Sequence, residues 1–282
     1  MLAALISVLT TMGIVLSLLN ETIQFFEEVP IGDYLFGTDW SPLFEPASFG
    51  VLPIVLGTMV ISLIGMLVAI PLGLAAAVYL AEYARPAVRK TIKPILELLA
   101  GVPTIVFGYF ALTFFTPEIL RAIFGEGNVG VFNALSAGVI IGFLIVPTIA
   151  SISEDSMSAV PASLREGSFG LGASKLQTTM RVVFPAALSG IVASVVLGFS
   201  RAVGETMVVV IAAGLQPQWG LDIFQSMETM TTFIAATAKG DVSTGSIAYK
   251  TLFAVGTTLF VITLIMNMIS IRFVRKYRQV YE

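Results

Sequence analysis

The sequence predicts an all-α integral membrane protein with six transmembrane helices, and two observations carry this prediction. Of the 282 residues, 56% are hydrophobic and only 12% are charged, and the mean hydropathy is +0.94, whereas soluble domains carry about 25% charged residues. Apolar surface in such excess cannot all be buried in a core of this size, so lipid must be part of the solvent. The second observation is that cationic residues recur in alternate loops between the apolar stretches.

Six apolar stretches come close to the roughly 20 residues that a membrane-crossing helix needs. Their approximate bounds are 2–19, 52–80, 95–115, 133–150, 187–213 and 249–271. We expect the first to be a retained helix, because it lacks the basic start and the small-residue cleavage site of a signal peptide. The second is too long for one straight, perpendicular helix, so Pro71 and Gly73 are expected either to kink it or to let it extend past the membrane.

The Lys and Arg residues predict the orientation, because cytoplasmic loops hold an excess of them. Cations cluster in three alternate segments, which hold Arg85, Arg89, Lys90, Lys93, Arg165, Lys175, Arg181, Arg272, Arg275, Lys276 and Arg278. We therefore expect both termini in the cytoplasm and the acidic residues of the first loop outside. The chain then divides into residues 1–50, with the first span and the acidic outer loop, and residues 51–282, a core of five spans with a cytoplasmic loop at 151–185.

The residue types limit the chemistry of the chain. It has no cysteine and no histidine, which excludes disulfides, thiolate chemistry and the commonest general base and metal ligand. The sequence contains no Walker A pattern or other Gly-rich phosphate loop, and no paired carboxylates in an aqueous segment. We expect a chain that binds no metal or cofactor of its own, does not hydrolyse ATP and does not bind nucleic acid.

Residues 165–185 form a polar segment between two spans that is much longer than a turn requires. Ser163–Glu166 and Ser174–Gln177 both fit the capping-box pattern, and Gly172 lies where a first short helix must end. We expect two short helices at the membrane surface, separated from the preceding span by Pro161. Helices this short are marginal in water, so they need the membrane domain or a partner protein; the alternative is a surface hairpin without a partner.

Arg201 and Glu205 lie inside the fifth apolar stretch, where an Arg costs about 2.5–3.5 kcal/mol to insert. Their i, i+4 spacing places them on one helix face, where they can pair, and Gly198 and Gly204 leave room for a neighbouring helix or an unwound turn. The pair is either a structural ion pair or a cationic site in a permeation path, with Glu205 setting the orientation and charge of Arg201. Intramembrane charges favour the path, and the planar donor fork of Arg suits an oxyanion.

Three lesser signals concern local structure. Gly101 and Pro103 predict a break near the cytoplasmic end of the third span, either as a packing kink or as an element that lines the path. Glu97 is expected to pair with the cations of segment 89–93, which also contact anionic lipid. The spacing of aromatic and Met residues in segment 214–248 favours a surface-lying or re-entrant helix.

The polar segment resembles the EAA loop of ABC importer permeases. Glu166-Gly167-Ser168 corresponds to the Glu-Ala-Ala of that loop, Gly172 follows at the family's spacing, and Pro185 ends a Val-Val-Phe-Pro run nine residues further on. The two alanines are replaced by residues that are also small. In that family the loop is the coupling helix, which docks into a cleft on a cytoplasmic ATP-binding subunit. The resemblance implies this coupling role for Glu166, Gly167, Ser168, Gly172 and Ser174.

A second resemblance is more specific. Arg201-Ala-Val-Gly-Glu205-Thr-Met is similar to a motif in the permease subunits of high-affinity phosphate ABC importers, above all in the C-type (PstC-like) subunit. Similar stretches cover roughly residues 35–215, and they are Trp40-Ser-Pro, 49–53, 57–58, 69–73, 98–103, 135–138, 147–155 and 160–166. The chain departs from the resemblance at its start, where almost no segment precedes the first span.

The resemblance implies a type I ABC importer permease in the plasma membrane of a prokaryote, with Arg201 and Glu205 on the path of phosphate. Besides membrane lipid, the implied partners are a homologous second permease, two cytoplasmic ATP-binding subunits that carry ATP and Mg²⁺, and an extracytoplasmic phosphate-binding protein. Two alternatives stay open. One is a permease for another oxyanion, such as sulfate or molybdate. The other is a stand-alone secondary anion transporter, which would not need two capped cytoplasmic helices; the six spans also show no inverted duplication.

Overall fold

The computed structural model describes residues 2–240 and 242–277, which are mostly helical. Its helices are α1 (Leu2–Glu28), α2 (Ile31–Phe36), α3 (Leu52–Val78), α4 (Pro86–Ala100), α5 (Thr104–Phe110), α6 (Arg121–Phe124), α7 (Ala134–Ser158), α8 (Ala162–Gly170), α9 (Lys175–Thr178), α10 (Phe184–Ala186), α11 (Leu188–Val203), α12 (Met207–Ala212), α13 (Met230–Lys239) and α14 (Ile247–Tyr277). Three π-helical segments extend them: Tyr79–Tyr83 after α3, Ala111–Leu120 between α5 and α6, and Thr179–Val183 between α9 and α10. Strands β1 (Trp40–Ser41) and β2 (Ser48–Phe49) form one short antiparallel pair. Arg278 of the predicted basic tail lies outside the described residues.

The structure confirms the predicted all-helical membrane architecture. Within the described residues, the helical stretches that are long and apolar enough to cross a membrane are Ala3–Glu28, Leu52–Tyr83, Thr104–Phe124, Ala134–Ser158 and Ile247–Arg272. A sixth apolar helical stretch passes the same test only when Lys175–Ala186 and Leu188–Val203, which meet at 70°, are taken together. The second part of this pair is α11, which lies in the fifth predicted span, whereas the first part belongs to the predicted polar segment.

The third span begins later than the sequence predicted. It starts at Thr104 rather than near residue 95, because the residues before it form the separate helix α4. Gly101 ends α4 and Pro103 occupies the N-cap of α5, a boundary that proline favours because the residue before it avoids the helical conformation. The apolar window therefore ran across a helix boundary, and the predicted break lies between two helices rather than within one span.

The second span extends instead of breaking. Helix α3 contains Pro71 and runs without interruption from Leu52 to Val78, and the π-helical segment carries it to Tyr83, so the helical stretch is 32 residues long. A proline inside a membrane helix is tolerated where neighbouring helices and local adjustments satisfy the freed backbone group. The sequence left open whether this span is kinked or lengthened, and the structure shows the lengthened helix.

A buried carboxylate fixes α4 to α7. Glu154, near the C-terminal end of α7, has no exposed surface and binds two cations of α4: Lys93 Nζ lies 2.8 Å from its Oε2, and Arg89 pairs with its Oε1. Lys93 also pairs with Asp155. The predicted pairing of Glu97 with these cations is therefore wrong, since within the described residues Arg89 and Lys93 bind carboxylates of α7 instead. A buried charge needs such partners, so the cluster holds α4 in place.

Helices α3 and α7 approach each other closely through glycines. Gly138 and Gly142 stand four residues apart on α7, the small-xxx-small spacing that lets membrane helices come into backbone contact. A Cβ atom on Gly142 would lie 2.7 Å from Val68 Cβ and 2.8 Å from Gly65 O, and one on Gly138 would lie 2.7 Å from Ile64 Cβ. Because lipid gives no hydrophobic drive between helices, such packing is what holds them together.

An apolar cluster joins the ends of α1, α3 and α14 to the chain segments between the spans. Its buried members include Phe25, Tyr34, Trp40 and Phe233, and the Trp40 and Phe233 rings meet edge to face at 4.9 Å. The segment 214–248 was predicted to hold a surface-lying or re-entrant helix, and the surface-lying alternative is wrong. Between α12 and α14 the described residues form the helix α13, whose first turn is buried in the cluster because its Met and Phe side chains find apolar partners inside the fold.

Replacing Gly142 with Val should separate α3 from α7 and destabilise the membrane domain, since overpacking of this kind costs about 1–3 kcal/mol. The measurement is the thermal unfolding midpoint of the purified chain in mild detergent. Gly13→Val is the matched control, because Gly13 also lies on a membrane helix but nothing stands within 4 Å of its Cβ position. Equal midpoints for the two variants would contradict the packing argument.

Candidate substrate path and loop helices

The fifth span is broken between the two charged residues that the sequence singled out. Helix α11 ends at Val203 and α12 begins at Met207, so Arg201 lies in the last turn of one helix and Glu205 in the connection to the next. The i, i+4 relation predicted for them requires a continuous helix, and the break removes it. Within the described residues the ion pairs do not join Arg201 to Glu205, so the predicted pairing is wrong.

Glu205 instead caps α12. Its Oε1 accepts hydrogen bonds from the backbone N–H groups of Thr206, Met207 and Val208 at 3.1, 3.0 and 3.3 Å. The first N–H groups of a helix have no partner within the helix, and a negative charge is favourable at that end of the helix dipole. Glu205 is only 9% exposed, so its carboxylate is occupied by these backbone groups.

Threonine hydroxyls hold the backbone of the same turn. Thr231 Oγ1 donates to the carbonyl oxygen of Glu205 at 2.8 Å, and it also lies 2.9 Å from Thr229 Oγ1. One residue earlier, Met230 N donates to Thr58 Oγ1 of α3 at 3.0 Å. The broken turn is therefore fastened both to α3 and to the start of α13. The sequence analysis missed these threonines; the run of three threonines around Met230 was the available signal.

Arg201 has a hydroxyl as its hydrogen-bond partner. Its Nη1 donates to Thr148 Oγ1 of α7 at 3.1 Å, and its side chain is only partly buried. A guanidinium carries several N–H donors in a fixed fork, and the described residues occupy one of them. The remaining donors and the positive charge are available to an anion, and an oxyanion can take two parallel hydrogen bonds from such a fork.

The polar segment forms two helices as predicted, α8 and the helical stretch Lys175–Ala186, which we call the loop helices. The capping box predicted at Ser163–Glu166 is wrong, because α8 already begins at Ala162 and Pro161 holds its N-cap position without a side-chain bond. The box at Ser174–Gln177 is confirmed: Ser174 Oγ accepts from Gln177 N at 3.3 Å, and Gln177 Oε1 accepts from Ser174 N at 2.8 Å.

The predicted coupling residues separate into two groups. Glu166, Gly167, Gly172 and Ser174 are exposed, whereas Ser168 Oγ lies 2.9 Å from Thr178 Oγ1 and thus joins the two loop helices to each other. Gly172 has a φ of +83°, a left-handed conformation that glycine adopts without strain, and it makes the turn between them.

The loop helices carry an exposed apolar surface. Phe169, Leu171, Leu176 and Met180 are exposed, and Leu171 is 91% exposed. Exposed apolar side chains in one small region mark a surface that binds another molecule.

The fold and the site together define a multi-span membrane permease. The chain matches the family model of the binding-protein-dependent transport system inner membrane component over residues 69–279, and it belongs to this family of ABC importer permeases. Family membership also argues against the stand-alone secondary transporter that the sequence left open.

Curated relatives narrow the similarity. The chain is 34% identical to the probable ABC transporter permease protein YqgH of Bacillus subtilis, with 88% of this chain and 79% of the relative covered. It is 32% identical to the phosphate transport system permease protein PstC of Mesorhizobium japonicum (84% and 76% covered) and 31% identical to PstC of Haemophilus influenzae (88% and 82% covered).

Solved structures share the fold. An inward-facing MetNI methionine ABC transporter matches with a TM-score of 0.60 at 20% identity, covering 82% of this chain and 95% of the other. A bacterial alginate ABC transporter, solved in complex with an alginate-bound periplasmic protein, matches with a TM-score of 0.65 at 14% identity, covering 100% of this chain and 96% of the other. The chain therefore has the type I ABC importer permease fold that the sequence predicted.

Glu205→Gln and Glu205→Ala separate a capping role from an ion pair. Gln keeps an oxygen that accepts backbone N–H bonds, so this variant should unfold near the wild-type temperature, whereas Ala should lose about 0.5–2 kcal/mol, as is typical for a removed cap. Thermal unfolding of the purified permease measures the difference. Equal losses for Gln and Ala would show that the negative charge, and not the cap, is what the fold requires.

Proposed function

We propose that this chain is a translocation subunit of an ATP-driven importer of inorganic phosphate, in the plasma membrane of a prokaryote with both termini in the cytoplasm. The observation that carries the proposal is the Arg201 guanidinium, which is part-exposed within a membrane span and has a hydroxyl rather than a carboxylate as its partner. A cation inside a membrane is costly, and an anion that passes offsets this cost. The PstC relatives, which are phosphate transport permeases by name, supply the identity of the anion.

The geometry supports a division of labour on the path. Arg201 contacts the moving phosphate, and Thr148 orients the guanidinium through its hydroxyl. Glu205 serves the path indirectly: its carboxylate binds the N-terminus of α12 and does not form an ion pair with Arg201. One Arg cannot distinguish phosphate from sulfate or molybdate by itself, so selectivity is shared with the binding protein that delivers the anion.

The loop helices are the coupling helices that dock on a cytoplasmic ATP-binding subunit. Their apolar side chains, above all Leu171, are exposed in the single chain, and this supports the assignment. Short helices at an aqueous surface are stabilised when a partner protein covers such side chains. ATP and Mg²⁺ are bound by two such subunits and not by this chain. Glu166 and Gly167 lie on the exposed surface of α8, where they can contact the partner.

Two further partners complete the importer. A homologous second permease closes the path on the side where Arg201 is exposed, since a single chain leaves this guanidinium only partly buried. An extracytoplasmic phosphate-binding protein delivers the anion, which agrees with the binding-protein dependence in the family's description. Asp33 of α2 and Asp39 after it are exposed, and the proposed topology puts them on the outer side, which such a protein would approach.

Arg201→Gln should reduce phosphate uptake about tenfold or more while the complex still assembles, because charge-assisted hydrogen bonds are worth about 1.5–3 kcal/mol and 1.4 kcal/mol is about a factor of ten. The measurement is uptake of radiolabelled phosphate by cells that lack their own phosphate importers. Arg121→Gln is the matched control, since Arg121 binds a backbone carbonyl away from the broken turn. Wild-type uptake in Arg201→Gln would reduce Arg201 to a packing residue, and transport of sulfate or molybdate in preference to phosphate would replace the cargo.

Gly172→Glu should weaken binding of the ATP-binding subunit and uncouple transport, while the membrane domain stays folded. A side chain at this φ costs about 1–2 kcal/mol, and the Cβ position faces open space rather than the fold. Gly172→Asn is the control, because Asn tolerates the left-handed conformation. Co-purification in mild detergent measures the association. A Gly172→Glu permease that retains the ATP-binding subunit and transports normally would contradict the assignment.

A further inference from the structure

The π-helical end of α3 contacts both loop helices through two adjacent residues. Glu82 accepts hydrogen bonds from Arg165 of α8, and the ring of Tyr83 lies under Lys175, whose Nζ is 4.9 Å from the ring centroid. A π-helical turn carries one extra residue relative to an α-helix, and such turns often occur at functional sites. This one presents two successive side chains to two different helices. We call these two contacts the α3 clasp.

The Glu82–Arg165 contact is the stronger half of the α3 clasp. Arg165 Nε and Nη2 lie 3.1 and 2.8 Å from Glu82 Oε1, and Nη2 also donates to the carbonyl oxygen of Met157 at 2.7 Å. Nη1 donates to the carbonyl oxygen of Val160. The Glu82 side chain is only 7% exposed and the Arg165 side chain 19%. Exposed ion pairs contribute little, whereas a shielded guanidinium with this many acceptors is held in one geometry, so it ties α3, the end of α7 and α8 together.

The loop helices are joined to each other and to this end of α3. Ser168 and Thr178 connect them directly through their hydroxyls, 2.9 Å apart. Val183 of the second loop helix is fully buried in an apolar cluster with Ala77 of α3 and Met157 of α7. A displacement of either loop helix by a partner therefore acts on the end of α3.

The other end of α3 contacts the segment that holds the broken turn of the fifth span. Thr58 Oγ1 accepts from Met230 N, and a Cβ on Gly57 would lie 2.2 Å from the Glu228 carbonyl oxygen, so backbone and helix touch there. Thr231, next in sequence, donates to the carbonyl of Glu205. Because α3 is uninterrupted and rises about 1.5 Å per residue, this one helix is long enough to reach both sites.

We propose that Glu82 and Tyr83 are positioning residues for coupling: they fasten both loop helices to α3, which transmits their displacement to the turn around Glu205. This inference rests on the proposed function, because it takes the loop helices as the place where the ATP-binding subunit acts. The loop helices lie far from the broken turn, and energetic coupling between such sites requires an element that both can move. Helix α3 meets that requirement, since it contacts both sites. Glu82 and Tyr83 make the contacts at one end, and Thr58 makes the contact at the other.

The test uses the complete importer in proteoliposomes with its binding protein. ATP hydrolysis and phosphate import are measured together, and their ratio is compared between wild type and Glu82→Gln. We expect this variant to assemble with the ATP-binding subunit. Its ratio of ATP hydrolysed to phosphate imported should be about five times the wild-type ratio or more, since fivefold is the lower end of typical coupling between sites. Glu97→Gln is the matched control, because Glu97 is an exposed carboxylate on the neighbouring helix α4 that does not bind Arg165. Glu82→Asp, which keeps the carboxylate, should restore part of the coupling.

A merely structural role predicts a different pattern. It would lower assembly or thermal stability in Glu82→Gln and leave the ratio in the surviving complexes at the wild-type value, and that result would overturn the proposal. Failure of the proposed function looks different again, since the wild-type complex itself would then import no phosphate. In that case binding-protein-stimulated ATP hydrolysis still reports whether Glu82→Gln releases the ATPase from its dependence on the permease.

The absence of native cysteines allows a second measurement that does not depend on the stability of Glu82 variants. Tyr83→Cys and Lys175→Cys, introduced together, can be bridged by a short bifunctional thiol reagent. If the α3 clasp moves as one body, the bridged importer should keep its wild-type ratio of ATP hydrolysed to phosphate imported, while the unbridged double variant should show a raised ratio. Loss of import on bridging would show that α3 and the loop helices must separate during transport, and would overturn the proposal.

Discussion

A membrane helix that is interrupted leaves backbone groups that lipid cannot satisfy, and the structure around residues 204–206 is organised by this constraint. The Glu205 carboxylate meets three backbone N–H groups of α12, and Thr231 meets the carbonyl of Glu205. Glu205 thus stabilises the break as a cap. Because its carboxylate binds the backbone, it forms no direct ion pair with the arginine four residues earlier.

The same constraint extends to the packing of the neighbouring helices. The broken turn is fastened to α3 through Thr58 and Met230, and Arg201 is oriented by Thr148 on α7. The relative placement of α3 and α7 therefore decides where the guanidinium lies with respect to the turn. The glycines at the contact bring α3 and α7 together so closely that side chains there would clash, which fixes the position of one helix against the other. The geometry of the site therefore depends on residues that never approach the substrate.

The sequence predicted what depends on composition and local pattern, and it failed where tertiary contacts choose between local options. The apolar stretches, the Ser174 capping box and the Gly172 turn follow from rules that act over a few residues, and all three are present. The Arg201–Glu205 pair followed from the same spacing rule, but Gly204 permits a break and the new helix end binds the carboxylate more closely than the guanidinium does.

Two other errors have a similar origin. The third span was placed too early because the apolar residues of α4 are continuous in sequence with those of α5, and hydropathy does not register the boundary at Pro103. The cations of α4 were assigned to lipid and Glu97 because Glu154 lies on a helix far away in the sequence. The partners of a buried carboxylate can lie far from it in the sequence, and no local sequence pattern predicts such a contact.

Four carboxyl groups with little exposed side-chain surface are each bound or neutral. Glu82 and Glu154 are paired with cations, and Glu205 is bound by backbone N–H groups. Glu228, in the connection before α13, has no such partner among the described residues, but burial raises the pKa of its carboxyl to about 8, so at neutral pH it is mostly protonated. A further negative charge beside the turn would repel an anion at the point where Arg201 attracts it. With Glu228 neutral, the Glu205 carboxylate lies against the N-terminus of α12, whose dipole partly compensates it, and Arg201 has no directly bound carboxylate among the described residues, which is what an anion permease requires of a span that carries a single arginine.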